Sequence, residues 1–305
     1  MNKKNEQMMG KHMLLHLFKK HGIAWLMLLP FFLCLILLVW KPNLQGIILS
    51  FFKTKGYDAV EFCGLKNFEI VIKNTNFLKT LWNTIQYVFW SVLIGFLLPA
   101  IMAIMVNELY RISGVLKLVY YLPSMVPTIA VSMLWYYIYY GGEGGLLNMV
   151  LGVFGLNSVA WLDNQNTTIL MLVISMTWKG FGGTMLIYLA ALQGIDRSLY
   201  EAAAADGAGL LHRIRHITIP GISGILMLNF IRQIIGVFQV VEQPLTMTGG
   251  GPNGASMSLG LLAYNYAFKY FQIGNAMAVN VIMFVILIAL TFVYYKVDKK
   301  YSDIV

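Results

Sequence analysis

SLYEAAAADGAGLLHRIRHITIP, Ser198 to Pro220, is an alanine-rich, charged stretch set between two apolar runs. A helix built to sit in lipid would not contain it, and a random loop would not concentrate alanine in this way. Ser198-Leu-Tyr-Glu201 has the spacing of a capping box, in which the Ser198 hydroxyl takes the N3 amide and Glu201 reaches back to the cap residue. Ala202 to Ala205 are the best helix formers. Asp206-Gly207 predicts a stop, because Gly207 can take the left-handed C′ conformation without strain. A second short helix is expected from Leu210 to about Thr218, with Pro220 in the first turn of the helix that follows. The result is a helix–turn–helix elbow with a flat small-residue face and an acidic edge. Taken alone, these residues fit a well-capped connection and a docking element equally well.

Around the elbow the chain is apolar over lengths that exclude a soluble domain. Of 305 residues, 58% are hydrophobic and 11% charged, whereas soluble domains carry about 25% charged residues. The net charge of +9 does not imply nucleic acid, since most cations flank apolar runs and serve as topology determinants and headgroup contacts. Cys34 and Cys63 have no CxxC partner, so neither a disulfide framework nor a metal site is expected.

The fold class expected is all-α and integral to the membrane. A spanning helix needs roughly 20 mostly apolar residues, and six segments qualify: about 23–40, 85–106, 118–140, 167–192, 221–241 and 277–295. The first is too long for a signal peptide and runs into Lys41-Pro42 rather than a small-residue cleavage site, so it is expected to be a retained span. The third carries Pro123 and Pro127. Residues 1–22 form a basic N-terminal segment, in which Met8–Lys20 reads as an amphipathic interfacial helix or a disordered basic tail; 296–305 form a short tail.

Six spans place both termini on one side. That side would hold Lys3, Lys4, Lys11, Lys19, Lys20, Arg111, Lys117, Arg197, Arg213, Arg215, Lys296, Lys299 and Lys300, thirteen cations. The other side would hold seven: Lys41, Lys53, Lys55, Lys66, Lys73, Lys79 and Lys269. The bias predicts cytoplasmic termini in a cell-membrane protein, and puts the elbow on the cytoplasmic face.

Glu-Ala-Ala, three residues, Gly207, nine residues, then Ile217-x-Ile219-Pro220 closely resembles the EAA loop of binding-protein-dependent ABC importer permeases. Ile219 departs from the commoner leucine but keeps its apolar character. The likeness extends along the chain. Gly64-Leu65-Lys66-Asn67-Phe68 is similar to the segment after the first span of sugar permeases, and Asn83-Thr84 to the start of the second. Leu122-Pro123 with Pro127 resembles the proline-broken third span, Thr246–Pro252 the TxGGP run, and Tyr266–Phe268 with Gly274–Ala276 the approach to the last. The first outer loop, of about forty residues, resembles that of shorter sugar and glycerol-phosphate permeases and not the large outer domain of the maltose permease.

The resemblance implies a carbohydrate importer subunit that is not itself an enzyme, with ATP and Mg held by a partner. Implied partners are a second homologous permease in a heterodimer, two ABC ATPase subunits, an extracytoplasmic sugar-binding protein and membrane lipid, with no nucleic acid. It also implies that the elbow docks in an ATPase groove through Glu201, Ala202, Ala203, Asp206, Gly207, Ala208, Ile217 and Pro220. A glycerol-phosphate importer and an ion-coupled secondary transporter are the alternatives, and the latter would need intramembrane carboxylates. No GxxxxGK[ST], HExxH or GxSxG occurs; Gly249–Gly251 lacks the Lys-Ser/Thr of a phosphate loop.

An ionisable residue at mid-membrane costs about 2.5–3.5 kcal/mol on insertion scales and usually faces water or a partner. Lys179 and Arg232 are such residues; lining a path, snorkelling, and pairing with Glu242 or a partner subunit all fit them. In the transporters this chain resembles, the path is lined by spans three to five. Ser124, Thr128, Thr177, Lys179, Gln233 and Gln239 are the candidates for it, and no metal site is expected. Trp135, Tyr136, Tyr137, Tyr139 and Tyr140 read as an interfacial aromatic belt rather than a sugar platform.

Overall fold

The computed structural model describes residues 22, 24–109 and 112–302. Met8–Lys20, the five N-terminal lysines and Arg111 of the charge count lie outside the described residues.

Helix α1 runs Ala24–Leu49, past the expected end at Trp40 and through Lys41-Pro42. The reason is a wide π turn, Leu35–Trp40, in which the Lys41 N–H reaches back to the Ile36 carbonyl. Proline cannot donate to the ladder and its ring crowds the carbonyl four residues back; a wider turn just before it absorbs both problems. The same device precedes Pro99, at Ser91–Phe96, and Pro220, at Ile214–Thr218.

The all-α expectation needs one correction. Strands β1 (Phe52–Lys55) and β2 (Asp58–Phe62) form an antiparallel hairpin within the first loop. Gly56, at φ +60, opens its two-residue turn, as a II′ loop requires of its first residue. Alternation over so few residues is a weak sequence signal.

The remaining helices are α2 (Lys66–Lys73), α3 (Phe77–Glu108), α4 (Ser113–Met125), α5 (Thr128–Ile138), α6 (Leu146–Val153) and α7 (Thr168–Gln193). They are followed by α8 (Arg197–Ala205), α9 (Leu210–Gly221), α10 (Ser223–Phe238), α11 (Leu259–Tyr264, continued by a π turn to Lys269) and α12 (Ile273–Ser302). The last extends through most of the expected tail. By length and composition α1, α3, α7 and α12 can each cross a membrane. Two further candidates are bent pairs: α4 with α5, at 97°, and α9 with α10, at 71°. The first break lies at Val126, extended at φ −78 and ψ 136 as the residue before a proline is driven to be.

Helices α3 and α7 thread the core. Tyr87, Leu172, Val173 and Val237 fill its middle, and Ala103, Met185, Tyr188 and Leu189 fill one end. Val71, Leu259 and Val279 close the other end. Gly182 sets the α4–α7 crossing, because a Cβ there would overlap the Tyr120 carbonyl.

Several residues that carried the resemblance are clasps between distant segments. Asn67 donates to the Ser50 and Phe52 carbonyls, both at 2.9 Å, fastening the end of α1 and the hairpin to α2. Asn83 donates to Gly254 O at 2.8 Å and Met257 O at 3.0 Å. The Thr84 hydroxyl accepts the Leu259 N–H at 3.0 Å, and Tyr87 OH donates to Ser256 O at 3.0 Å. The glycine-rich run after α10 is thus held against α3 by buried and part-buried hydrogen bonds, each satisfying a backbone carbonyl or amide.

Candidate functional site: an exposed elbow and a polar cavity

The elbow is α8, a turn, and α9. Its cap differs from the capping box read from the sequence. Asp196 is the N-cap, extended at φ −62 and ψ 125, and its carboxylate accepts the Ser198 N–H at 2.9 Å. Ser198 is the second helical residue, and Glu201 is too far along to reach the cap. An aspartate competes better here than a serine, since its charge also meets the positive end of the helix. The Ser198 backbone and then side-chain hydrogen bonds hold the Asp196 carboxyl below the usual carboxylate range.

The turn follows the glycine reading. Gly207 has φ +75, the Ala208 N–H donates to Ala203 O at 2.8 Å, and the Gly207 N–H donates to Ala204 O at 3.1 Å. These are the two bonds of a Schellman stop. Tyr200 OH and Thr218 Oγ1, 3.0 Å apart, tie α8 to α9. Pro220 does not open the next helix. It sits in the last turn of α9, and α10 begins at Ser223 after the bend at Ile222.

Of the eight expected coupling residues, Glu201, Ala202, Asp206, Gly207 and Pro220 are exposed; Ala203, Ala208 and Ile217 are half-buried. Leu199, Leu210 and Leu211 are exposed beside them, Leu211 at 82%. Glu201 also lines a cavity of about 600 Å³ with Glu108, Lys117, Arg197 and Arg213, between the elbow and the ends of the longer helices.

A second cavity, of about 580 Å³, opens between the π turn of α3, the start of α5, the middle of α7 and α10. Thr128, Thr177, Lys179, Gln233 and Gln239 all line it. Ser124 does not. Its hydroxyl donates to the Lys179 carbonyl at 2.9 Å, so it fastens α4 to α7 where those helices cross closely. The sequence reading left out Ser91, Gly95, Thr184 and Gln243, and did not place Arg232 and Glu242 among its path residues; all six line the cavity. Ser91 and Gly95 interrupt an apolar run, and that interruption was the available signal. Gln233 Nε2 donates to Ser91 Oγ across the cavity wall. A Cβ on Gly95 would lie 2.8 Å from Gln233 Nε2 and 3.1 Å from Thr177 Oγ1, so a side chain there would displace both from their present positions.

The aromatic belt is partly corrected. Tyr136, Tyr137 and Tyr140 are exposed, but Tyr139 is buried and Trp135 packs inward on Trp178, with ring centroids 5.7 Å apart.

The model of the family described as the inner membrane component of binding-protein-dependent transport systems matches residues 95–302, a range that includes the elbow and most of the cavity lining. The chain belongs to this family. The permease is therefore a multi-pass membrane protein and a transport component, not an enzyme. Among curated relatives, the trehalose/maltose transport system permease protein MalF of Thermococcus litoralis is 30% identical over 94% of this chain and 97% of its own length. The arabinooligosaccharides transport system permease protein AraP of Bacillus subtilis is 26% identical over 93% of this chain and 91% of its own. Among solved structures, a bacterial ABC transporter involved in import of the acidic polysaccharide alginate superimposes with TM-score 0.83 at 22% identity, covering 94% of this chain and 98% of that one.

Proposed function

We propose that this permease is the membrane-spanning subunit of an ATP-driven importer that takes up a sugar or oligosaccharide delivered by an extracytoplasmic binding protein. The observation that carries the reading is a family match running through both the elbow and the cavity, with relatives named for trehalose/maltose and arabinooligosaccharide transport. The fold of an alginate importer chain, also solved in complex with an alginate pentasaccharide-bound periplasmic protein, supports it.

In this reading each bent pair is one crossing, giving six spans with cytoplasmic termini, as the lysine and arginine balance favours. Residues 23–295 form the permease domain. Glu201, Ala202, Ala203, Asp206, Gly207, Ala208, Ile217 and Pro220 form the surface that docks in one partner ATPase, and a second ATPase acts on the elbow of a second, homologous permease. A capped helix stopped by a Schellman turn and hydrogen-bonded to its neighbour transmits force better than a loop. Thr128, Thr177, Lys179, Gln233 and Gln239 line the sugar path, with Ser91, Thr184 and Arg232. ATP and Mg are held by the ATPases.

The test is affinity capture of tagged permease from native membranes in mild detergent, with identification of what accompanies it and an ATPase assay. A homologous permease and a Walker-motif protein, with hydrolysis lost in Glu201→Arg, are expected. A chain that purifies alone and moves solute down an ion gradient overturns the reading.

A further inference from the structure

Two cations line the cavity between α3, α5, α7 and α10, Lys179 from α7 and Arg232 from α10, with one carboxylate, Glu242. Among the described residues the ion pairs lie elsewhere, in the hairpin and along α2. Neither Lys179 nor Arg232 is ion-paired among the described residues, and even with Glu242 the lining carries more positive than negative charge. A charge held between membrane helices is retained where it meets water, a partner or a ligand. The rest of the lining mixes hydroxyl and amide groups with glycines, Met176, Val237, Val240 and Val241, and its one aromatic side chain is Phe181. Neutral sugars are gripped largely by stacking on aromatic faces; this cavity offers excess positive charge and hydrogen-bonding groups instead.

Arg232 also borders a second, smaller space, an adjoining cavity of about 150 Å³ that it lines with Asn229 and Tyr188. Tyr188 is fully buried, and its hydroxyl has no hydrogen-bond partner. A buried hydroxyl left unpaired costs about as much as a lost hydrogen bond. Arg232 thus lines both cavities.

We infer that Lys179 and Arg232 select a carbohydrate bearing an acidic group, and that the guanidinium and ammonium hold its carboxylate, sulfate or phosphate oxygens during passage. Arginine suits this task because its planar fork matches two oxygens at once. The inference rests on the cavity being the sugar path. The space is within the roughly 300–1,000 Å³ range of small-molecule sites, large enough for one or two sugar rings at a time. Glu242 shares the lining and disfavours a second acidic group beside it.

The experiment uses the captured complex with its binding protein, reading ATP hydrolysis against concentration for two series of sugars. One series is acidic: uronate oligosaccharides, sulfated disaccharides and hexose phosphates. The other is neutral oligosaccharide of the same lengths. An acidic member should stimulate where its neutral counterpart does not. Arg232→Gln and Lys179→Gln should each raise the half-stimulating concentration roughly tenfold to hundredfold, and Arg232→Lys should recover part of the loss. Because a variant complex can fail to assemble, the wild-type complex supplies a second readout: half-stimulation by an acidic sugar should shift upward with added salt. A neutral sugar that stimulates equally in wild type and variants, with no salt dependence, overturns the inference and leaves the sugar path standing. A complex that no carbohydrate stimulates overturns both.

Discussion

Gly207 separates conformational from steric contributions to the elbow. It sits at φ +75, and a Cβ placed on it would meet nothing within 4 Å. Any cost of substitution within the chain is therefore set by backbone conformation and not by size. An L-residue in the left-handed region costs roughly 1–2 kcal/mol, which corresponds to about a 5- to 30-fold loss in the population of the stopped turn. Gly207→Ala and Gly207→Leu should thus weaken the turn equally, and Gly207→Asn less, since asparagine tolerates that region. The direct readout is hydrogen exchange at the Ala208 amide, whose bond to Ala203 O at 2.8 Å exists only while the turn is closed. Exchange should quicken by the same factor in the alanine and leucine variants of the purified complex. Coupled ATP hydrolysis should then fall in step with exchange. Were the alanine variant to retain wild-type protection, the Schellman reading would be wrong. Equal exchange with much poorer hydrolysis in the leucine variant alone would place a partner surface against Gly207.

Four further outcomes are expected. Asn83→Leu removes two part-buried hydrogen bonds to the Gly254 and Met257 carbonyls; stranding these acceptors costs about 1–3 kcal/mol, so the melting temperature of the purified complex should fall. Gly95→Val would drive carbon into Gln233 and Thr177; uptake should be lost while capture of the partner subunits persists. Gly182→Leu would collide with the Tyr120 carbonyl and separate α4 from α7, lowering both complex yield and melting temperature. The Asp196 carboxyl lies below its ordinary value because Ser198 donates to it. Its contribution is complete above the unfolded value, about 3.9, and is lost as pH falls through the lower folded value. Elbow protection, corrected for intrinsic exchange, should therefore be flat from neutral pH to about pH 5 and fall only in stronger acid; Asp196→Asn, which caps without titrating, should abolish that fall.

The elbow was legible because its determinants are local. Gly207 and the alanine run act within one or two turns, so their spacing in the sequence is their spacing in space. The cap was misread for the same local reason: Asp196 and Ser198 are both good caps two residues apart, and only the backbone path decides between them. Prolines were over-read as helix ends. Pro42 and Pro220 both lie inside helices, because a π turn ahead of each accommodates the ring. Five of the six candidate path residues line one cavity, since polar groups in apolar helices must face something other than lipid. Ser124 was polar for a different reason, fastening α4 to α7.

Composition and apolar run length by themselves determined that this chain lives in a membrane, because no aqueous core can bury so much hydrophobic surface. Residue spacing determined the elbow and its stop. Tertiary structure decided what the long-range residues do. Asn67, Asn83 and Thr84 bond to carbonyls and an amide that are distant in the chain, and no sequence periodicity encodes such a partner. It also decided that Lys179 and Arg232, on different helices, share one cavity whose lining carries more positive than negative charge. Charge neutralisation depends on distance through space, and helix packing alone sets that distance.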